Sequence, residues 1–325
     1  MTRLANRLRC DAGQAMVVVV VGISAIVGMA GVVVDVGSWF RGQRHLQTVV
    51  DAAALAGAQD LPDTSKAAAT AQSYSQQNWP GVASPAVTFA DSSTIDVRAT
   101  QPLSGIFSKL YGAAFSSINV HAHAQARVGV PSSLKNIVPI AVKNTQPMLT
   151  GAGCGLTRPC FGSTHPTTLS FNESVLSSSS FGLIELSCPG AGAGCKGTAS
   201  SSEIVGWIDN GFTGLVSVQT DYPAVTGAKI GPVRDAINRN LNRTLLFPVF
   251  DTSNDSTKTF HIISWAAFVI DTALATSDWK NDAPSCRPTC KILHGYFTQV
   301  IVSGFLSAPG SGPADFGVRV VGLTG

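Results

Sequence analysis

The sequence predicts an α+β protein in which a single N-terminal transmembrane helix extends into a stalk helix, followed by a small α+β domain and a β-rich, disulfide-containing domain. Three observations predict this architecture: an uncharged apolar run near the N-terminus, a helical amphipathic pattern that continues it, and short alternating segments accompanied by cysteines. The predicted boundaries are residues 1–14 for a cytoplasmic tail, 15–35 for the transmembrane helix, 36–61 for the stalk helix, 62–130 for the small α+β domain and 131–325 for the β-rich extracytoplasmic domain.

The apolar run over residues 15–34 contains no ionisable side chain and has the length of roughly 20 residues that a spanning helix requires. Arg3, Arg7 and Arg9 precede it, so the positive-inside bias places the N-terminus in the cytoplasm and the bulk of the chain outside. A secretory signal peptide cleaved before Gly31 is the alternative. The run is longer than the roughly 7–15 apolar residues of a signal core. We therefore expect an uncleaved, single-pass protein of the cell membrane.

Charged residues are sparse, at 13% of the chain with a net charge of +3. Nucleic-acid binding requires a basic surface, often with interleaved aromatic residues, and no stretch of the sequence has that composition. We therefore expect no nucleic-acid partner.

The apolar run is followed by small and apolar side chains at steps of mostly three and four residues, which is typical of an amphipathic helix. A continuous helix over residues 15–60 would be about 70 Å long, and roughly half of it would project from the bilayer as a stalk. Ala53, Ala54, Gly57 and Ala58 would allow another backbone to approach closely. That neighbour could belong to another protein or to the chain's own next domain, and both possibilities stay open.

The remaining sequence predicts alternating short helices and strands. In the small domain we expect a helix, a hairpin, a short amphipathic helix and a third strand, over residues 66–78, 87–99, 102–111 and 119–128. His121 and His123 lie on the polar face of that third strand. In the larger domain we expect long loops up to about residue 202, a helix over 232–243, and strands over 137–142, 245–250, 261–270 and 295–302.

Of the seven cysteines, Cys10 falls on the predicted cytoplasmic side and six fall outside, where an oxidising compartment favours disulfides. The six outer cysteines occur as three close pairs along the chain, so the expected bridges are Cys154–Cys160, Cys188–Cys195 and Cys286–Cys290. The alternative for the last pair is a metal site with His294. Pro288 would disrupt the helix that such a site requires, and no fourth ligand is evident.

An ordered series of residues follows the apolar run, and it comprises Asp35, Gly37, Leu46, Gln47, Asp51, Ala52, Ala53, Ala54, Leu55, Ala56, Gly57 and Ala58. Over residues 12–60 this series resembles the N-terminal region of the TadE/TadG-like family of Flp (tight adherence) pilus-assembly proteins. The likeness continues more weakly through residues 121–127 and into the C-terminal region.

The resemblance implies a single-pass protein of pilus biogenesis, with a pilin-like long helix and a pilin-like small domain, that acts through protein contacts rather than chemistry. Its implied partners are the membrane and other pilus-assembly proteins or pilin-like subunits. The family supplies no catalytic residue to carry over, and no cofactor is expected. Val18 stands where a prepilin-peptidase site would place glutamate, so the sequence does not predict pilin-like cleavage after Gly13.

Residues of catalytic or metal-binding type occur without the partners that their chemistry requires. Asp251 begins a series of alternating oxygen ligands, but the glycine and glutamate of a complete calcium loop are missing. Ser132 and Lys135 have the spacing of a nucleophile and its base, without the downstream motifs of that enzyme class. His121 and His123 are too few to hold a metal. We therefore expect no catalytic, cofactor-binding or metal site.

The sequence thus favours a membrane-anchored, non-enzymatic component of Flp/Tad-type pilus assembly. An extracytoplasmic cell-surface binding module, with its ligand held by the larger domain, is the main alternative, and a cell-envelope hydrolase is the third. Loss of surface pili on deletion, with an unchanged envelope, would separate the first hypothesis from the others.

Overall fold

The computed structural model describes residues 11–111, 117–171, 176–191, 198–225, 230–275, 291–304, 307 and 312–324. The predicted α+β class is confirmed, because a long N-terminal apolar helix is followed by mixed helices and strands. The chain forms two compact units, Met1–Arg127 with Leu323–Gly325, and Val128–Gly322.

The first unit contains two helices and an antiparallel sheet. The helices are α1 (Asp11–Ala58) and α2 (Thr64–Asn78), and the strands are β1 (Ala86–Asp91), β2 (Thr94–Ser104) and β3 (Ser117–Gly129). β2 pairs with β1 on one side and with β3 on the other. α2 begins where the Asp63 carboxylate accepts a hydrogen bond from the Lys66 N–H, which satisfies a donor of the first helical turn. The predicted helix, hairpin and third strand are confirmed.

The segment from β2 to residue 107 runs antiparallel to α1, and glycines of the helix make this approach possible. Three glycines each face a large apolar side chain, in the pairs Gly31 with Phe107, Gly42 with Leu103, and Gly57 with Ile95. In each pair, a Cβ atom on the glycine would come closer to the partner than side chains normally approach. One face of α1 therefore packs closely against the rest of the first unit.

The short helix predicted over residues 102–111 is wrong in its first part. β2 continues through Pro102 to Ser104, and Ser104 is still paired with Ser117 of β3. Pro102 lies beyond the segment of β2 that pairs with β1, so one side of the strand tolerates a residue without an N–H. Only Ser108–Tyr111 is helical, as a single 3₁₀ turn. Pairing with β3 overrides the local helical pattern.

The second unit is built around a β-sheet. Its described helices are α3 (Pro147–Thr150), α4 (Ser201–Asn210) and α5 (Ile230–Arg239). Its described strands are β4 (Ser133–Leu134), β5 (Ile140–Lys143), β6 (Thr167–Phe171), β7 (Phe181–Leu183), β8 (Val216–Ser217), β9 (Thr220–Pro223), β10 (Thr244–Asn254), β11 (Thr259–Ile270), β12 (Lys291–Thr298), β13 (Val300–Ile301) and β14 (Val318–Leu323).

The main sheet of the second unit has the order β6-β12-β11-β10-β5-β7, with β9 also paired to β11. The strands predicted over residues 245–250 and 261–270 form its centre. Trp265 on β11 is fully buried, and its Nε1 donates to the Pro131 carbonyl at 2.7 Å. Phe268 contacts Phe247 and Phe297, with ring centroids 5.1 and 4.9 Å apart. These aromatic contacts form a continuous apolar core.

The region predicted as long loops up to residue 202 contains regular structure, including β6, β7 and the start of α4. Ser200 Oγ accepts from the Glu203 N–H at 3.2 Å, and the Glu203 carboxylate accepts from the Ser200 N–H at 2.7 Å. The capping-box residues Ser200 and Glu203 are recognisable in the sequence and indicate a helix start, where only loops were expected. β6 and β7 are short, with 5 and 3 residues, and depend on pairing with β12 and β5.

Candidate functional site

The N-terminal part of α1 presents apolar side chains to its surroundings. The segment Ala15–Ala58 is long and apolar enough to cross a membrane, and among the described residues it is the one helix that meets this condition. Only 6% of its most apolar window is buried, which is unlike the core helix of a soluble domain. The helix therefore fits a single-pass membrane protein.

Asp35 ends the apolar run and fastens the turn after β2 to α1. Its side chain lies in a buried position, with 1% of the residue exposed. Oδ1 accepts from the Ile106 N–H at 2.8 Å, and Oδ2 accepts from the Ser108 N–H at 2.6 Å. Glycine at position 105 allows the carboxylate to approach the turn this closely, because a Cβ there would lie 2.8 Å from Asp35 Oδ2. Asp35 therefore positions the turn over residues 105–108.

Gln47 links α1 to β3, and Asp51 on the same helix binds its amide group. Gln47 Nε2 donates to Asp51 Oδ1 and to the carbonyl of His123, each at 2.8 Å. Leu46, beside Gln47, is fully buried. Three polar residues of the predicted series, Asp35, Gln47 and Asp51, thus have intramolecular roles.

The small residues at the end of α1 pack against α2 of the same chain. Ala53, Ala54 and Ala58 are fully buried. A Cβ on Gly57 would lie 2.8 Å from the carbonyl oxygen of Ala67 in α2. Of the two possible neighbours for this segment, the structure places the chain's own next helix there.

The opposite face of α1 has exposed positions just beyond the apolar run. A Cβ on Gly37 would have no atom within 4 Å of it. Phe40 is 62% exposed and Val36 is 37% exposed, and Arg44 is exposed as well. We call this set, Val36, Gly37, Phe40 and Arg44, the outer face of α1. Gly37 is thus a member of the predicted series that faces open space, in contrast to Gly57.

His121 and His123 lie on the exposed face of β3, as predicted, and each has a partner on β2. His123 Nε2 lies 2.8 Å from Asp96 Oδ2, and His121 Nδ1 lies 2.9 Å from Thr100 Oγ1. Arg98 Nε donates to Asp96 Oδ1 at 2.9 Å. Hydrogen bonds from Arg98 and then His123 lower the pKa of Asp96 despite its burial. Sequence reasoning missed this pairing, because the residues are far apart along the chain.

Asp255 and His294, two further residues of metal-binding type, also have structural partners. Asp255 accepts from the Leu176 N–H at 2.7 Å and from Ser177 Oγ at 2.8 Å. His294 Nδ1 lies 3.0 Å from Thr168 Oγ1. Within the described ranges, no group of three or more His, Cys, Asp or Glu residues could hold a metal ion.

The expected disulfide between Cys154 and Cys160 is present, with the two Cα atoms 6.3 Å apart. Cys188 is also disulfide-bonded. Its expected partner Cys195, and both Cys286 and Cys290, lie outside the described residues.

The exposed apolar part of α1, which ends at Asp35, fits the class of single-pass membrane proteins. Residues 13–60 match the family described as putative Flp pilus-assembly TadE/G-like, which confirms the resemblance over this segment. No curated protein and no solved structure matches the chain significantly. The family match and the apolar helix together point to a membrane protein associated with Flp/Tad pili.

Proposed function

We propose that the protein is a membrane-anchored, non-enzymatic component of Flp/Tad-type pilus assembly that acts through protein–protein contacts. Its N-terminus would be cytoplasmic and residues 36–325 extracytoplasmic, with the stalk over 36–61, the small domain over 62–130 and the β-rich domain over 131–325. The observation that carries the proposal is the family match to residues 13–60, the same segment that forms the exposed apolar helix and its continuation.

The outer face of α1 is the proposed contact surface for other pilus components. The opposite face of α1, which we call its inner face, is occupied, because Asp35, Gln47 and Gly57 contact the rest of the first unit. Gly37 leaves open space on the helix next to Phe40, an aromatic side chain that is 62% exposed. Small residues beside large apolar ones permit close helix–helix packing at the membrane boundary. A pilin-like subunit or another single-pass assembly protein fits this surface.

The polar groups of the matched segment make structural hydrogen bonds, which supports a role without catalysis. Asp35 accepts hydrogen bonds from backbone N–H groups, and Gln47 donates to a backbone carbonyl and to Asp51. These groups position segments of the fold. A reactive site would instead need a nucleophile, base or metal facing a substrate cleft.

The direct test places a photo-crosslinking amino acid at Phe40 in cells that assemble pili. Tyr74 on α2 is the matched control, since it is also an aromatic residue and is 46% exposed. We expect adducts from position 40 that contain a pilus-assembly protein or a pilin-like subunit, and none from position 74.

Phe40→Asp should also abolish surface pili at normal protein levels, whereas Tyr74→Asp should not.

Normal pili in a strain that lacks the gene would contradict the proposal. Adducts from position 74 alone would place the contact surface elsewhere in the first unit.

A further inference from the structure

We propose that the turn over residues 105–108 is a lipid-contacting element, in which Ile106 enters the interfacial layer of the bilayer beside α1. This inference rests on the membrane anchoring proposed above. It assigns a partner, the lipid surface itself, to a segment outside the transmembrane helix.

The turn is held at the level of the apolar run. Two backbone N–H groups of the turn bind the Asp35 carboxylate, at the last position of the predicted span. Phe107 packs on Gly31, where a glycine Cβ would lie 2.9 Å from Phe107 Cβ. Gly31 lies three residues before the end of the run at residue 34, about 5 Å along the helix axis. A bilayer that covers the run therefore reaches the turn.

The exposed side chain of the turn suits lipid. Ile106 is 71% exposed, one of the highest values among the large apolar side chains of the described chain. A single exposed isoleucine on a soluble surface needs no explanation. Ile106 differs because its own N–H is fixed to the residue at which the apolar helix meets the rest of the fold.

The charges around the turn are consistent with an interfacial position. A carboxylate at the edge of the hydrocarbon is costly unless its hydrogen bonds are satisfied, and the turn supplies two N–H donors to Asp35. Lys109 follows the turn and is exposed. Long basic side chains near the end of a span place their charge among the lipid headgroups. The turn thus binds the acidic group of Asp35 and exposes Ile106, and the exposed Lys109 follows directly.

The test reads the depth of single fluorescent labels in the full-length protein reconstituted into phosphatidylcholine vesicles. In a Cys10→Ser background, cysteine replaces one of four residues, and each is labelled with an environment-sensitive fluorophore. The reporters are Ile106→Cys on the turn, Lys109→Cys directly after it, Ala25→Cys in the middle of the apolar run, and Ser92→Cys in the exposed turn between β1 and β2. Lipids that carry a quenching spin label near the headgroup or deep in the acyl chain are then compared. The background protein without a new cysteine measures unspecific labelling.

We expect strong quenching at positions 106 and 109 by the shallow label, quenching at 25 by the deep label, and none at 92. Labels at 106 and 109 that behave like the label at 92, with position 25 still quenched, would overturn the lipid contact and leave the anchor intact. Absence of quenching at position 25 as well would reject both this inference and the membrane anchoring. An unchanged thermal unfolding midpoint for each labelled variant establishes that the fold is retained.

Discussion

At the level of single residues, Asp35, Gln47 and Asp96 each join segments that are remote in sequence. Asp35 holds the turn over residues 105–108, Gln47 reaches the backbone of His123 and binds Asp51, and Asp96 lies between Arg98 and His123. Hydrogen bonds to an ionised acceptor are stronger than neutral ones. The two aspartates that bind donors on other segments, Asp35 and Asp96, are therefore the sites at which single substitutions should be most informative.

Asp35→Ala should release the turn, because two backbone N–H groups would lose their acceptor. In detergent, we expect trypsin to cleave after the exposed Lys109 faster than in the parent protein, by about tenfold if local opening limits cleavage. Gln43→Ala, an exposed change on the same helix, is the control and should leave cleavage unchanged. Equal cleavage rates in the parent and in Asp35→Ala would show that Asp35 does not hold the turn.

Asp96 should make stability depend on pH in the acid range. Hydrogen bonds from Arg98 and His123 lower its folded-state pKa below the usual value of 3.8. A lowered folded pKa contributes stability above the unfolded value, and that contribution is lost as the pH falls through the folded pKa. The urea midpoint of Asp96→Asn should therefore lie below that of the parent at pH 7, and the difference should shrink below about pH 4.

Arg98→Ala tests the cause of this dependence, since the Arg98 hydrogen bond is the largest contribution to the lowered pKa of Asp96. It should weaken the acid dependence without removing it. A constant difference between the parent and Asp96→Asn across the whole pH range would refute the assignment.

At the level of elements, α1 has two faces with different surroundings. The inner face packs on α2, β2 and the following turn through glycines and alanines. The outer face is open around Gly37 and Phe40. Two glycines of one helix, Gly57 and Gly37, should therefore respond oppositely to the same substitution.

Gly57→Ala should lower the free energy of unfolding by about 1–3 kcal/mol, because the added methyl group meets a backbone carbonyl that cannot easily move. Gly37→Ala should be neutral or stabilising by up to about 1 kcal/mol, because alanine favours the helix and nothing is in its way. Urea denaturation in detergent measures both. The packing assignment fails if Gly57→Ala is as stable as Gly37→Ala.

The disulfide between Cys154 and Cys160 closes a short loop and should act locally. Cys154→Ser should lower the free energy of unfolding by about 2 kcal/mol, the stabilisation expected for a loop of this size.

The expected three bridges also predict that thiol labelling of the unfolded, unreduced protein modifies Cys10 alone. Labelling of several other cysteines, or stoichiometric zinc in the purified protein, would disprove that set of bridges.

At the level of the whole molecule, one continuous helix connects a surface suited to lipid with a folded unit. The apolar part of α1 is largely exposed, and the same helix enters the core of the first unit at Leu46. Membrane attachment and the fold of the first unit consequently depend on the same 48-residue helix.

We predict that this anchor is retained in the mature protein, because the run is of spanning length and continues into a packed helix. The protein should sediment with membranes and resist extraction at alkaline pH. Intact mass or N-terminal sequencing decides the point. A mature chain that begins at Gln14, as after a pilin-type cut, or at Gly31, as after removal of a signal peptide, would contradict the prediction.

The sequence by itself determined the elements whose signals are local. These are the apolar span, the long helix, the hairpin, the alternating strand with its two exposed histidines, and the short-range disulfide at Cys154 and Cys160. Composition, periodicity and close cysteine spacing are properties of a few neighbouring residues, so they can be interpreted without knowledge of the rest of the chain.

Only the tertiary structure decided which neighbour each face meets. Gly57 could have packed on another protein or on its own chain, and α2 occupies that place. Residues 102–104 carry a helical pattern, yet pairing with β3 makes them strand. The contacts of Asp35 with Ile106 and of Asp96 with His123 join positions that are dozens of residues apart. Such contacts depend on how the whole chain packs, and no local pattern encodes them.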